Sequence, residues 1–191
     1  MPLVMPSPDP SFGEVRLRAF AERDVGMLMD LSTDPYLPTI GSLPGNAGRE
    51  DALSFMERQA GRLGTGAGYS FCVAHQETDE ALGTAGLHLA PLAADRATAG
   101  YSVAPRSRGR AVASQALTAL TRFAWSLPEL HRVELHIEPW NVASRRTAER
   151  AGYHREGLLR SYQEINGRRV DMLRYAAIRP PGPAGNRLGR A

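Results

Sequence analysis

The chain has 191 residues, of which 42% are hydrophobic, and this length and composition fit one packed domain. The formal net charge is only +3, and the 23 basic residues, all arginine, form no recognisable nucleic-acid-binding motif, so we expect no specific nucleic-acid partner. The single cysteine excludes an internal disulfide. No apolar run approaches the roughly 18 residues of a membrane span, and the start shows no signal-peptide pattern. We therefore expect a cytoplasmic protein without a membrane partner.

Proline-rich segments predict flexible tails over residues 1–12 and 180–191, with a single domain over residues 13–179 between them. The predicted order β-α-α-β-β-β-α-β-α-β-β describes a mixed α/β domain. Hydrophobic periodicity and turn residues predict its elements in chain order: strand 14–20, helix 21–32, loop 33–48, helix 49–63, strands 68–75, 82–90 and 97–104, helix 111–126, strand 132–138, helix 141–152, and strands 153–165 and 168–178.

The turn before the helix at 111–126 has the character of a phosphate-binding site. Arginines stand at three alternate positions, Arg106, Arg108 and Arg110, and Gly109 lies among them. A helix N-terminus offers unbonded N–H groups and partial positive charge to a phosphate, and small side chains let the phosphate approach the backbone. Neither the dinucleotide-binding nor the P-loop pattern is present. The residues alone leave a pyrophosphate site and an ordinary strand-to-helix connection as alternatives.

Two stretches carry a resemblance to a known family. Residues 106–111, "RSRGRA", resemble the [QR]-x-x-G-x-[GA] pattern with which the GNAT superfamily of acyl-CoA-dependent N-acyltransferases binds pyrophosphate. Residues 141–160, "NVASRRTAERAGYHREGLLR", resemble the N-x-x-S helix and strand signature of its RimJ/RimL branch. The resemblance extends over residues 14–178 and implies the GNAT fold, with acetyl-CoA as the acyl donor.

The resemblance also implies where the acyl donor binds. The family holds pantetheine and pyrophosphate with backbone amides that follow a bulged strand, and an asparagine corresponding to Asn141 bonds the pantetheine arm. By itself, Asn141 is equally well explained as a helix N-cap, and one residue can do both. The implied backbone positions are Val103, Arg108, Gly109, Arg110, Ala111, Val112 and Ala113.

The catalytic groups are implied in the same way. A serine at the position of Ser144 is the branch's candidate acid for the departing thiolate, although a serine is also favoured in the first turn of a helix for structural reasons. The tyrosine that many GNAT enzymes use as the acid is absent, since its position is Ala148. Relatives that acetylate ribosomal proteins often carry a glutamate where this chain has Thr98, and a threonine cannot serve as an ordinary general base.

His136 is therefore the predicted general base. Strand alternation places it on one face with Glu134 and Glu138, and a neighbouring carboxylate would orient the ring and raise its basicity. The alternative is a histidine that only fills this face of the sheet. The five histidines and Cys72 show no metal-ligand spacing, so we expect no metal site.

The predicted activity is transfer of an acetyl group from acetyl-CoA to a primary amine. The RimJ/RimL branch includes enzymes for protein N-termini and for small amines, so both acceptors stay open, as does an acyl-CoA-binding protein without turnover. No dominant acidic cluster marks the acceptor loops at 33–48 and 162–169, whereas a strongly cationic polyamine or aminoglycoside would favour one. We therefore favour a protein or peptide N-terminus, as in ribosomal-protein alanine acetyltransferases.

Overall fold

The computed structural model describes residues 3–89 and 95–181, which form one eight-stranded mixed sheet with the strand order β1-β2-β3-β4-β5-β6-β8-β7. Only β5 and β6 are parallel neighbours; the other pairs are antiparallel. The strands are β1 Ser11–Phe12, β2 Val15–Arg18, β3 Gly68–His75, β4 Ala81–His88, β5 Arg96–Val103, β6 Arg132–Ile137, β7 His154–Ile165 and β8 Arg168–Ile178. The helices are α1 Val25–Leu31, α2 Leu37–Ile40, α3 Arg49–Thr65, α4 Val112–Ala124 and α5 Val142–Arg150.

Helices cover the sheet on both faces. The larger core lies between the sheet and α4, with Leu117, Leu120 and Phe123 packed on strand residues such as Phe71 and Val133. The smaller core lies on the other face, beneath α1 and α3. This arrangement is the mixed α/β fold that the periodicity predicts. No helix in residues 3–89 or 95–181 combines the length and the apolar character needed to cross a membrane.

Local chemistry explains why several elements lie where the sequence predicts them. The turn between β7 and β8 is Asn166-Gly167, and both residues have positive φ, 50° and 72°, as a tight hairpin turn requires. Helix α5 begins after Asn141, whose side chain caps it, and Gly152 follows its end with φ 84°. The predicted loop 33–48 differs from the prediction because it contains the one-turn helix α2, which has proline in its first turn.

The amino-terminal segment differs from the predicted flexible tail. The backbone N–H of Leu3 donates to the carbonyl of Leu63 on α3 (3.0 Å), and Ser11–Phe12 pairs with β2. Leu3, Met5 and Phe12 pack against the larger core. The apolar residues between the prolines thus bury against the domain, so residues 3–12 are part of its packed structure. Most of the predicted carboxy-terminal tail, residues 182–191, lies outside the described residues.

Candidate active site

The central feature of the candidate site is a gap between the two parallel strands. β5 and β6 pair at three positions, residues 96–98 against residues 132–134. β5 then continues to Val103 and β6 to Ile137 without further pairing between them in the described part of the chain. The strands therefore diverge toward their carboxyl ends, where α4 and α5 begin. In open α/β sheets, ligands bind in such crevices beyond the carboxyl ends of parallel strands.

The entrance to α4 presents a run of free backbone donors. Gly109 and Ala111 have positive φ, 80° and 57°. The first backbone bond of the helix joins the N–H of Gln115 to the carbonyl of Ala111 (3.1 Å). Within the described residues, none of the N–H groups of residues 109–114 donates a hydrogen bond. Six consecutive free donors at a helix N-terminus, beside a residue without a side chain, fit a pyrophosphate.

Arg108 is engaged by groups of the protein itself. Its Nε donates to the carbonyl of Val103 (3.0 Å), its Nη2 bonds the carboxylate of Asp34, and its backbone N–H donates to Pro105. Burial alone would raise the pKa of Asp34, but the hydrogen bond from Arg108 and those from backbone N–H groups outweigh burial and lower it. The side chain of Arg108 therefore connects the end of β5 to the loop after α1 through hydrogen bonds.

The other two arginines of this turn differ from each other. The backbone N–H and guanidinium of Arg106 both face Asp30, the guanidinium at 3.8 Å. Arg110 is exposed and forms no ion pair with the described residues. Of the three arginines, Arg110 is the one without an acidic partner among the described residues.

The backbone of Val103 points toward the gap. The N–H of Ala104 donates to the carbonyl of Leu82 on β4 (2.9 Å), and successive residues of a strand bond to opposite neighbours. The N–H of Val103 consequently points away from β4, toward the side of β6. A backbone donor in this position is suited to the oxygen of a bound thioester.

Asn141 and Ser144 meet at the start of α5. Oδ1 of Asn141 accepts a hydrogen bond from the N–H of Ser144 (3.0 Å), as the predicted N-cap requires. This leaves the amide nitrogen of Asn141 for another partner. The hydroxyl of Ser144 lies 2.8 Å from the phenolic oxygen of Tyr101 on β5. The sequence analysis missed Tyr101, although its place on the same strand face as Ala99 and Val103 was available from the alternation.

His136 lies on the opposite face of the sheet from Ser144. Val133, Leu135 and Ile137 point into the core beneath α4, so the alternating Glu134 and His136 face the other way. Glu134 Oε2 is 3.8 Å from Nε2 of His136, beyond hydrogen-bond distance, so the two groups interact through charge alone. Burial lowers the pKa of His136 and outweighs the opposing effect of Glu134.

Thr98, where a base was expected from the resemblance, lies between two titratable residues. His88 pairs with it from β4 and Glu134 from β6. The guanidinium of Arg62 is 2.9 Å from Nδ1 of His88, and burial first, then this positive charge, lowers the pKa of His88. The structure thus brings two neutral imidazoles, His88 and His136, to the face opposite Ser144.

Comparison with known proteins identifies relatives. A family described as "Acetyltransferase (GNAT) domain" matches residues 14–154. The uncharacterised N-acetyltransferase p20 of Bacillus licheniformis is 30% identical over 109 residues, which are 57% of this chain and 61% of that protein, so the chain spans about three fifths of this relative.

Solved structures with the same fold include two complexes with CoA. RimJ of Mycobacterium smegmatis, in complex with CoA-disulfide, superposes with a TM-score of 0.75 at 24% identity, covering 92% of this chain and 90% of that one. RimL, a ribosomal L7/L12 α-N-protein acetyltransferase in complex with coenzyme A, has a TM-score of 0.70 at 20% identity, covering 93% and 98%. At these identities the likeness concerns the fold.

Proposed function

The chain belongs to the GNAT acetyltransferases, and from this membership we propose that it transfers the acetyl group of acetyl-CoA to the α-amine of a protein or peptide N-terminus. The binding of acetyl-CoA is supported by the run of free N–H groups at residues 109–114, beside the gap between β5 and β6. When bound there, acetyl-CoA supplies an activated acyl group as a thioester.

The residues around the gap have the groups that direct transfer to an amine requires. The N–H of Val103 donates to the acyl oxygen as negative charge develops on it. The amide of Asn141 donates to the pantetheine arm, and Ser144 gives a proton to the departing thiolate. Because Ser144 and His136 occupy opposite faces of the sheet, the acid works from the side of α5, and the base takes the proton of the amine from the other side.

His136 suits an N-terminal substrate better than a lysine side chain. Its lowered pKa keeps the imidazole neutral near pH 7, where it can accept a proton but is a mild base. An α-amino group has a pKa of about 7.7–8.0, against about 10.4 for lysine, so a mild base suffices for it. That RimL is described as an α-N-protein acetyltransferase also supports this acceptor.

The test is a thiol-release assay on purified protein with acetyl-CoA. The acceptors are short peptides with a free N-terminus, the same peptides with an acetylated N-terminus, and a panel of polyamines, aminoglycosides and amino acids. We expect CoA release with the free peptides and with none of the acetylated ones, and mass spectrometry should place the new acetyl group on the α-amine. Release with small amines alone would overturn the choice of acceptor but not the transferase activity.

A further inference from the structure

Glu138 is a buried carboxylate without a counter-charge. It follows β6 directly, on the face of Glu134 and His136, and only 8% of its surface is exposed. Oε1 accepts a hydrogen bond from the hydroxyl of Tyr36 (2.7 Å) and Oε2 one from the indole N–H of Trp140 (2.9 Å). No arginine or histidine of the described residues forms an ion pair with it.

Burying this negative charge costs free energy unless a cation binds beside it. Two neutral donors satisfy hydrogen-bonding capacity but do not compensate a charge that has been removed from water. The other largely buried carboxylates of the fold have a cation: Asp24 pairs with Arg18 at 2.7 Å, and Glu134 pairs with Arg132. Unlike Asp24 and Glu134, Glu138 has no positively charged partner among the described residues. A cation from solution can take this position.

The surroundings of Glu138 indicate what kind of cation fits. The rings of Tyr36 and Trp140 meet edge to face, with centroids 5.0 Å apart, and 60% of Trp140 is exposed to solvent. A carboxylate beside aromatic rings is the combination that binds organic ammonium groups, through charge attraction and cation–π interaction. The exposed indole leaves the cluster open to a ligand from solution.

The cluster also lies at the mouth of the gap between the strands. Arg108 joins the end of β5 to Asp34, and Asp34 accepts a hydrogen bond from the N–H of Tyr36 (2.8 Å). Tyr36 in turn bonds Glu138 at the end of β6. Residues 34–36 thus span the opening from one strand to the other, on the face that carries His136.

We propose that Glu138, with Tyr36 and Trp140, is the binding site for the primary ammonium group of the acceptor. The proposal rests on the transferase function proposed above and names the part of the site that selects the acceptor by its charge. Glu138 binds the ammonium form and thereby concentrates it beside His136. The same chemistry serves a peptide N-terminus and a small alkylamine, so the experiment uses a probe of each kind.

The indole N–H resonance of Trp140 reports on this site directly, since that group donates to Glu138. The full chain, saturated with CoA at pH 7, is titrated with n-butylammonium, with an alanine tetrapeptide amide that has a free N-terminus, and with uncharged n-butanol. Trp140→Phe assigns the resonance, and the second indole, of Trp125, is an internal reference. We expect both ammonium probes, but not butanol, to shift the Trp140 resonance in a saturable manner.

Glu138→Gln keeps the shape of the side chain and removes its charge. It should weaken the binding of both ammonium probes at least tenfold. Glu129→Gln, in the exposed loop between α4 and β6, changes the net charge equally and should leave both affinities unchanged. Equal binding to wild type and Glu138→Gln, or no response of the Trp140 resonance to either ammonium, would overturn the proposal. A response to butylammonium without one to the peptide supports the ammonium site and refutes the peptide acceptor instead.

Discussion

The phenolic oxygen of Tyr101 and the hydroxyl oxygen of Ser144 lie 2.8 Å apart, and this contact joins β5 to α5 across the gap between the parallel strands. Burial raises the pKa of Tyr101, although hydrogen bonds to Ser144 and Thr147 oppose the rise, so the phenol stays protonated at physiological pH. Either oxygen can be the donor in this contact, and in the arrangement where the phenol donates, the serine proton is free for a thiolate. We therefore propose Tyr101 as a positioning residue for the candidate acid.

Ser144→Ala should lower kcat about 10- to 1000-fold, the range in which loss of one acid or hydrogen-bond donor falls, with little change in KM for acetyl-CoA. Tyr101→Phe should lower kcat by a smaller factor, about tenfold. Since the phenol acts through the serine, adding Tyr101→Phe to Ser144→Ala should have no further effect. Steady-state kinetics of the four proteins measures this coupling.

Tyr153→Phe is the matched control for this pair, because it also removes a buried phenol, one that bonds Thr121 at 2.7 Å in the same core. It should change stability but not kcat. Strictly additive effects of the two active-site substitutions would show that Tyr101 does not act through Ser144. A kcat of Ser144→Ala within about twofold of wild type would assign the proton of the thiolate to water.

Gly109→Glu should reduce CoA affinity by well over tenfold, which is more than about 1.4 kcal/mol, because it puts bulk and negative charge at the pyrophosphate site. A Cβ at Gly109 meets no atom within 4 Å, so the fold should tolerate the change apart from strain at φ 80°. Gly152→Glu is the control, with φ 84° and the same open space. Calorimetric titration with CoA that finds equal affinities for both variants would refute the phosphate site.

Asn141→Asp separates the two roles of this residue. An aspartate caps a helix as well as an asparagine does, so stability should hold, but it has no amide hydrogen to donate to pantetheine. CoA affinity should therefore fall, while Asn141→Ala should lose both affinity and about 1 kcal/mol of unfolding free energy. Chemical denaturation and calorimetry measure the two effects. Unchanged affinity in Asn141→Asp would leave Asn141 as a cap alone.

His136→Ala should reduce kcat/KM for an N-terminal peptide more at pH 7 than at pH 9. At pH 9 an amine of pKa about 7.7–8.0 is already neutral and needs no base. Because burial lowers the pKa of His136, the wild-type imidazole is neutral at both pH values. His154→Ala, on the exposed start of β7, should change neither rate. An equal loss at both pH values, or none, would remove His136 from the mechanism.

Stability should fall as the pH drops below about 6.5, in part through His88. Its folded pKa is lowered, by burial and then by Arg62, so below that pH the unfolded chain binds a proton that the folded one resists. Urea denaturation at pH 7.5 and 5.5 measures the loss of unfolding free energy. This loss should be smaller in His88→Gln and unchanged in His131→Gln, which replaces an exposed histidine. An unchanged pH dependence in His88→Gln would contradict this account.

The elements that the sequence predicts well are those that depend on neighbouring residues. The bounds of β3 coincide with the predicted strand, and the Asn166-Gly167 hairpin and the Asn141 cap are found where they were predicted. The prediction of a flexible tail was wrong for residues 3–12, because composition alone does not show that Leu3 and Met5 pack against the core. Burial lowers the pKa of His136 more than Glu134 raises it, and strand alternation alone does not predict this balance.

By itself, the sequence determined the order of the elements apart from β1 and α2, the glycine-bearing turn before α4 and the serine in the first turn of α5, since each follows from periodicity, propensity or a short motif. Only the tertiary structure decided which partners these residues have. Tyr101 meets Ser144 across 43 positions, Arg108 turns to Asp34 across 74, and Tyr36 reaches Glu138 across 102. The physical reason is that local rules act within a few residues of the chain, whereas these contacts exist only once strand pairing has brought distant segments together.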